Sequence, residues 1–337
     1  MPTTADNDYV FVDVDDTIIE VHGYGKQGSG YGYSGVRGLN ALLATVKTSA
    51  SAPVIIAQRL RKGACGSSRG ANQLVAEALS TVKKLDTTGS SSKLLLRADS
   101  AFYGHPTVSA AITAGADVSI TARLDKRVKA TIAQIGDDAW QTIEYTDAVY
   151  DENTKRWVSH AEVAEIEFTA FASRKKAERV TGRLVVRRIP DLNVKKAAGQ
   201  DTLFDTWRFH AFFTTSELDT VTADKTHRGH AVIEQVNADL KASALAHLPS
   251  SVFTANSAWL VLAVMAFNLS RAAATITGTS LAKATTATIR RKLITICARV
   301  AYSARQLTLH LPEQWPREGD WNRLFARICG PPRTAAF

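Results

Sequence analysis

"YVFVDVDDTIIEV", residues 9 to 21, decides how this chain is read. Apolar and β-branched residues fill Tyr9 to Val14 almost without a break, which predicts a buried strand. Asp13, Asp15 and Asp16 interrupt it, and Thr17 to Val21 extends the strand or starts a partner. Carboxylates in such a place have three explanations. One is the aspartyl nucleophile of a phosphatase. Another is an acid of a metal-dependent nuclease or transferase. The third is a strand that merely ends in a polar turn.

Working outward, the 337 residues suffice for one large domain or two to three smaller ones. With 45% hydrophobic and 22% charged residues, the composition is that of an ordinary soluble globular protein. The formal charge of +9 suits a polyanion such as nucleic acid, or a generally basic surface with no partner. Cys65, Cys297 and Cys329 lack paired spacing, which excludes a disulfide framework or zinc site and suits a reducing cytosol. "MPTTADND" has no basic region followed by an apolar one, so no signal peptide is expected. "AWLVLAVMAF" (258–267) is too short to span a bilayer and predicts a buried helix, so no membrane partner is expected.

The glycine-rich "HGYGKQGSGYGYSGVRG" follows the first strand. Gly23, Gly25 and Gly28 match G-x-G-x-x-G, but no helical pattern opens there, so a dinucleotide site is not expected. Segments 39–46 and 53–60 read as strand-like or buried. Residues 70–85 read as an amphipathic helix with Leu74, Ala78 and Leu85 on one side. "KLLLRADSAF" (93–102) predicts a buried strand ending in Asp99. "HPTVSAAITAGA" predicts a helix with proline near its start and glycine at its end, and 117–123 another strand. This alternation implies an α/β core with some parallel pairing. From Trp140 to Thr215 short β-prone pieces alternate with charged turns, predicting a mostly antiparallel β insertion that holds much of the basic charge. After residue 223 the chain reads as helical to about 306, with "TIRRKLITICARVAYSARQL" (288–307) a basic amphipathic helix.

Asp13-Val14-Asp15-Asp16-Thr17 fits the D-x-D-x-T nucleophile motif of haloacid-dehalogenase-like phosphatases, and Gly136–Asp138 imitates their metal-binding aspartates. The segment before Gly136 is not a clean strand, however, and the chain runs on for another 200 residues. Two-metal phosphoryl transfer needs instead several carboxylates converging on two Mg²⁺ ions about 4 Å apart. Asp15 ends one strand and Asp99 ends another. A third acid stands in "HRGHAVIEQVNADLK" (227–241). On a continuous helix at about 100° per residue, His227, His230, Glu234 and Lys241 fall in one narrow stripe opposite Ile233, Val236 and Leu240.

The order of Asp15, "RADSAF" and this late helix resembles the insertion-sequence transposases of the DDE class in bacteria. In the branch with a β insertion between the second and third acids, the late helix carries a Tyr–Arg–Glu–Lys signature. Glu234 and Lys241 match it, while His227 and His230 stand in the Tyr and Arg places. The small residue and Thr after the first acid select Asp15 over Asp13. Asp99, Ser100 and Phe102 match the second motif, and separations of 84 and 135 residues suit the insertion. The resemblance implies an α/β fold with a ribonuclease-H-like mixed-sheet core, interrupted by a mostly antiparallel β insertion and followed by a helical C-terminal part. Residues 1–124 hold the first two acids, 125–222 the insertion, and 223–337 the third acid. It further implies that Asp15, Asp99 and Glu234 bind two Mg²⁺, which Mn²⁺ can replace. His227, His230 and Lys241 would hold DNA phosphates, as would Arg290 and Arg291 with Lys292. Arg97 reads as a surface arginine. A tryptophan of the insertion, from Trp140, Trp157 and Trp207, is either a base-stacking residue or core. The partner is double-stranded DNA, transposon ends and target, bound by a homodimer in the bacterial cytoplasm and at the nucleoid. Only about eight residues precede the first strand, where an N-terminal DNA-binding region is usual. The alternative to an active enzyme is therefore a shortened copy that binds DNA or an intact transposase.

Overall fold

A computed structural model describes residues 9–47, 52–85, 92–151, 155–190, 207–278, 280–303 and 305–330. In chain order these form β1 (Tyr9–Glu20), β2 (Gly30–Tyr31), β3 (Arg37–Lys47), β4 (Val54–Lys62), α1 (Ala71–Leu85), β5 (Lys93–Ala98), α2 (His105–Thr113), β6 (Ala116–Thr121) and α3 (Lys126–Ile132). There follow β7 (Gln141–Asp151), β8 (Arg156–Ala170), β9 (Val180–Pro190), β10 (Trp207–Thr214), α4 (Thr220–Arg228), α5 (Val232–Lys241) and α6 (Phe253–Ile276). The last elements are α7 (Thr286–Ile289), β11 (Arg299–Ser303), β12 (Gln306–His310) and α8 (Glu318–Cys329). The protein is α/β, with a mixed, mostly antiparallel sheet. It divides into two compact units, 1–15 with 67–232 and 16–66 with 233–337.

In the first unit, β1 pairs in parallel with β5, and β5 with β6. Parallel neighbours need crossovers, and α1 and α2 supply them. Helix α1 buries Leu74, Val75, Ala78, Leu79 and Val82, whereas Leu85, expected on that face, is exposed. Helix α2 starts with proline in its first turn, and Gly115 follows its end at a φ of +71°, where a side chain would be strained. The β-prone stretch forms β7 to β10, all antiparallel to one another. It continues the sheet of its own unit, because Phe212 to Thr214 of β10 pair antiparallel with Ser119 to Thr121 of β6.

In the second unit, β3 pairs antiparallel with β2 and β4. A Cβ at Gly38 would collide with the Ile19 carbonyl, so the close approach of β3 to the later half of β1 requires glycine. Asn268 of α6 satisfies both backbone groups of Ile55 on β4, at 2.9 and 2.7 Å. The core gathers Ile19, Leu39, Leu43, Val236, Leu260, Val264 and Phe267.

Three expectations are corrected here. Helix α6 has 24 residues, not ten, and is the one helix among the described residues long and apolar enough to cross a membrane. Its inner face builds the core just described and Arg271 on it is buried, whereas Leu262, Met265 and Leu269 are exposed. The basic amphipathic helix expected over 288–307 does not form. Helix α7 passes into a π turn, Arg290–Ile294, which ends where Thr295 N–H donates to the Arg290 carbonyl. A hairpin, β11–β12, follows, with Val300 opposite Leu309 and Tyr302 opposite Leu307. The period-two alternation of these β-prone residues outweighed the helical pattern. Nor is the positive charge concentrated in the β-rich stretch. The second unit has 18 Lys and Arg against seven Asp and Glu, while the first has 23 against 25.

Candidate active site

The parallel register of β1 and β5 sets Asp13 opposite Arg97 and Val14 opposite Ala98. The next residue on each strand is an acid, Asp15 and Asp99. Side chains alternate along a strand, so Asp13 and Asp15 share one face of β1, and Arg97 and Asp99 share one face of β5. The two acids thus stand where the parallel pairing of β1 with β5 stops, Asp99 just past the end of β5 and Asp15 midway along β1, which runs on to Glu20 rather than ending at the acid as expected. Asp15 is half-buried and Asp99 exposed. The Asp99 carboxylate accepts from Ala101 N–H at 2.9 Å and so caps the 3₁₀ turn Ser100–Phe102, which Phe102 anchors in the core.

Directly behind the acids lies a pair that sequence reasoning missed. Arg97 is 2% exposed, not a surface arginine. Its Nε and Nη2 donate to the two oxygens of the fully buried Asp13, at 2.7 and 2.8 Å. Its Nη1 donates to the Thr226 carbonyl near the end of α4, at 2.6 Å. His230 Nδ1 lies 3.3 Å from Asp13 Oδ1. One buried ion pair therefore ties the strand pair carrying both acids to the end of α4 and the 3₁₀ turn Gly229–Ala231. A charge inside "KLLLRA" was the available signal, since a charge in a buried strand needs a partner.

Gly229 makes room for this tie, because a Cβ there would meet Arg97 Nη1 at 2.8 Å. Its φ is −61°, so helix propensity alone would favour alanine. We expect Gly229→Ala instead to destabilise by about 1–3 kcal/mol through overpacking, read from the denaturant midpoint.

The 3₁₀ turn also breaks the helix on which the polar stripe depended. His227 turns inward, its Nδ1 2.9 Å from Ser119 Oγ and its Nε2 3.1 Å from Thr121 Oγ1. Its ring stacks on Phe212, with centroids 4.1 Å apart. Burial, followed by the charges of His230, Arg97 and Arg187, lowers its pKa to about 3. It is neutral at pH 7, which removes it as a cationic phosphate anchor. The folded state resists protonating His227 while the unfolded chain takes a proton near pH 6.5, so stability present above pH 6.5 is lost as pH falls toward 3. Between pH 7 and pH 5 we expect about 2 kcal/mol of loss from this group. His227→Gln should show a correspondingly shallower acid limb in denaturant titrations. Equal limbs would remove His227 as the cause.

In the second unit, Asp16 accepts from Asn40 Nδ2 at 2.6 Å and Arg61 Nη2 at 2.5 Å, which accounts for the third carboxylate of the opening strand. On α5, Ile233, Val236 and Leu240 are buried while Glu234 and Lys241, two turns apart, are exposed. Asp239 is structural, accepting from Arg271 at 3.0 Å and from Thr286 N–H at 2.9 Å. Arg290 and Arg291 are exposed on the π turn. In the first unit, Trp140 and Trp207 are half-buried rather than core, with the Arg188 guanidinium 4.1 and 4.4 Å from their ring centroids. The side chain of Trp157 lies outside the described residues.

Among the described residues, no three His, Cys, Asp or Glu are grouped as a metal site would require. Asp15 and Asp99 are two such donors one register step past the β1–β5 pairing, and carboxylate oxygens there suit a hard divalent cation that keeps several waters. The Asp13 nucleophile of the phosphatase reading is overturned, because both its oxygens are committed to Arg97 and no part of it reaches solvent. No curated protein matches the chain. The family model described as "Transposase DDE domain group 1" matches residues 3–330. Carboxylates one register step past the pairing of two parallel strands, in a chain matched over nearly its whole length, lead to one assignment: the protein belongs to the DDE transposase family, enzymes that act on DNA.

Proposed function

We propose that this chain cleaves DNA at the ends of an insertion sequence and transfers the freed strand into target DNA. The observation that supports the reading is the β1–β5 register, in which Asp15 and Asp99 each follow the last paired residue, in a chain of the DDE transposase family. Glu234 is the third acid in this proposal, on the exposed side of α5. The three carboxylates hold two Mg²⁺, or Mn²⁺ in their place. The metals supply activation of a water or 3′-hydroxyl and neutralisation of the leaving oxygen. The chain's own part is to orient the phosphodiester. Lys241, Arg290 and Arg291 are proposed phosphate contacts, whereas His230 is engaged by Asp13.

A ribonuclease-H-like core is part of this proposal. Its support is that β1, on which the first acid lies, pairs in parallel with β5, and β5 in parallel with β6. Residues 125–222 are proposed as an insertion between the second and third acids, with 1–124 and 223–337 as the flanking parts of the core. The proposed working form is a homodimer on paired transposon ends, in the bacterial cytoplasm and at the nucleoid. The test is a cleavage assay on DNA carrying the element's own end, with Mg²⁺ or Mn²⁺, comparing the wild type with Asp15→Asn, Asp99→Asn and Glu234→Gln. DNA binding without nicking by the folded wild type would leave a DNA-binding remnant and overturn the enzyme reading.

A further inference from the structure

We infer that the glycine-rich hairpin of residues 22–37 is a contact for unpaired DNA bases, made by the rings of Tyr24, Tyr31 and Tyr33. The inference rests on the reading of the chain as a DNA-processing enzyme. These rings are 83%, 62% and 108% exposed, the last value being that of a side chain with no neighbour. Tyrosine normally buries its apolar ring and leaves only its hydroxyl in water. Three open rings within ten residues are a binding feature rather than scatter.

The base under them is rigidly built. Tyr31 pairs with Arg37, and Gly35 N–H closes the turn onto the Gly32 carbonyl at 3.1 Å, with Gly35 at a φ of +69°. Gly63 backs directly on Gly30 and Gly38, where a Cβ would collide with both carbonyls. Gln27 N–H donates to the Ser251 carbonyl at 2.8 Å, and Lys26 Nζ to the Leu248 carbonyl at 2.5 Å. The Arg37 guanidinium lies 4.0 Å over the Tyr24 ring and also donates to Ser29 Oγ at 3.1 Å. The hairpin thus holds its rings on a fixed scaffold, which lowers the ordering cost of binding.

Charge identifies the occupant. No Asp or Glu occurs between Glu20 and Glu77, while seven Lys and Arg do, of which Arg61 is buried against Asp16 and Lys62 is exposed. Glycine and serine are the main sequence neighbours of the rings, and Val36 is the aliphatic side chain exposed among them. Aromatic rings on an acid-free, basic segment match single-stranded DNA, whose base faces stack and whose phosphates meet the cations. Paired bases inside a duplex do not offer those faces. Nicked or melted DNA does.

The test uses the full chain in EDTA, so that no cleavage occurs, with fluorescence anisotropy on labelled dT20 and on a duplex hairpin of similar length. Replacing all three tyrosines by alanine should weaken dT20 binding about tenfold or more, and duplex binding by no more than about twofold. The triple phenylalanine variant should bind dT20 like the wild type, because it keeps the rings. The unfolding midpoint should move little, since the exposed rings make little packing beyond the Arg37–Tyr24 contact. Unchanged dT20 affinity in the alanine variant overturns the inference. Equal losses on both DNAs, or a shift in sedimentation without a selective dT20 loss, also overturn it, in favour of a general electrostatic or protein–protein role. The dT20 measurement needs neither metal nor cleavage, so failure of the cleavage reading and failure of this one show separately.

Discussion

Asp15→Asn and Asp99→Asn are each expected to lower metal-dependent DNA cleavage by about three orders of magnitude or more, a barrier increase of about 4 kcal/mol. Asparagine is the informative replacement. It keeps the shape, and at Asp99 it keeps a side-chain oxygen for Ala101 N–H, so the cap of the 3₁₀ turn survives. What is lost is the negative charge that a divalent cation needs. Unfolding midpoints should therefore stay close to the wild type while cleavage disappears. A parallel measurement of metal binding, by calorimetry with Mn²⁺, should show weakened affinity in both variants. Full activity in either variant would remove that residue from the site. Loss of activity together with loss of fold would make the residue structural.

Arg97→Ala is expected to destabilise the protein by about 3–5 kcal/mol, the largest stability effect of any single change considered. Desolvation is the reason. Asp13 has no exposed surface, and both its oxygens are held by Arg97, so truncation strands a carboxylate in the interior. Truncation also frees the Thr226 carbonyl. Removing both charges together, as Arg97→Met with Asp13→Leu, should recover much of the loss, because well-packed apolar residues can replace a buried pair. A double-mutant cycle from chemical denaturation measures this coupling. Additive effects of the two single changes would show that the pair is not a unit. Arg97→Lys should recover little, since one ammonium cannot reproduce a two-pronged contact and the reach to Thr226.

Most local structure was legible where one period dominated. The opening strand, β5, α1 and the apolar back of α5 follow from runs of β-branched or helix-spaced apolar residues, and each was expected close to its observed place. The segment after residue 287 misled because its arginines and apolar residues fit two periods at once. In the structure the alternation in "RVAYS" and "QLTLH" prevails, because cross-strand pairs form between residues the helical reading treats separately. Position along the chain also hid the distribution of charge. The basic excess belongs to a unit assembled from 16–66 and 233–337, which are adjacent only after folding.

By itself the sequence determined the fold class, the strand that carries the first acid, and Asp99 as a strand-end carboxylate, whereas Asp15, expected at a strand end, stands midway along β1. Those features depend on local patterning and on which residue follows a strand. Only the tertiary structure decided which of the acids in "DVDD" stand as candidates for chemistry and which hold the fold together. Asp13 goes to Arg97 and Asp16 to Arg61, partners 84 and 45 residues away. It also decided that His227 is neutral and packed while the neighbouring histidine meets Asp13. The physical reason is the same in each case. Burial sets the cost of a charge, and burial is a property of what folds against a residue, which its neighbours in sequence do not specify.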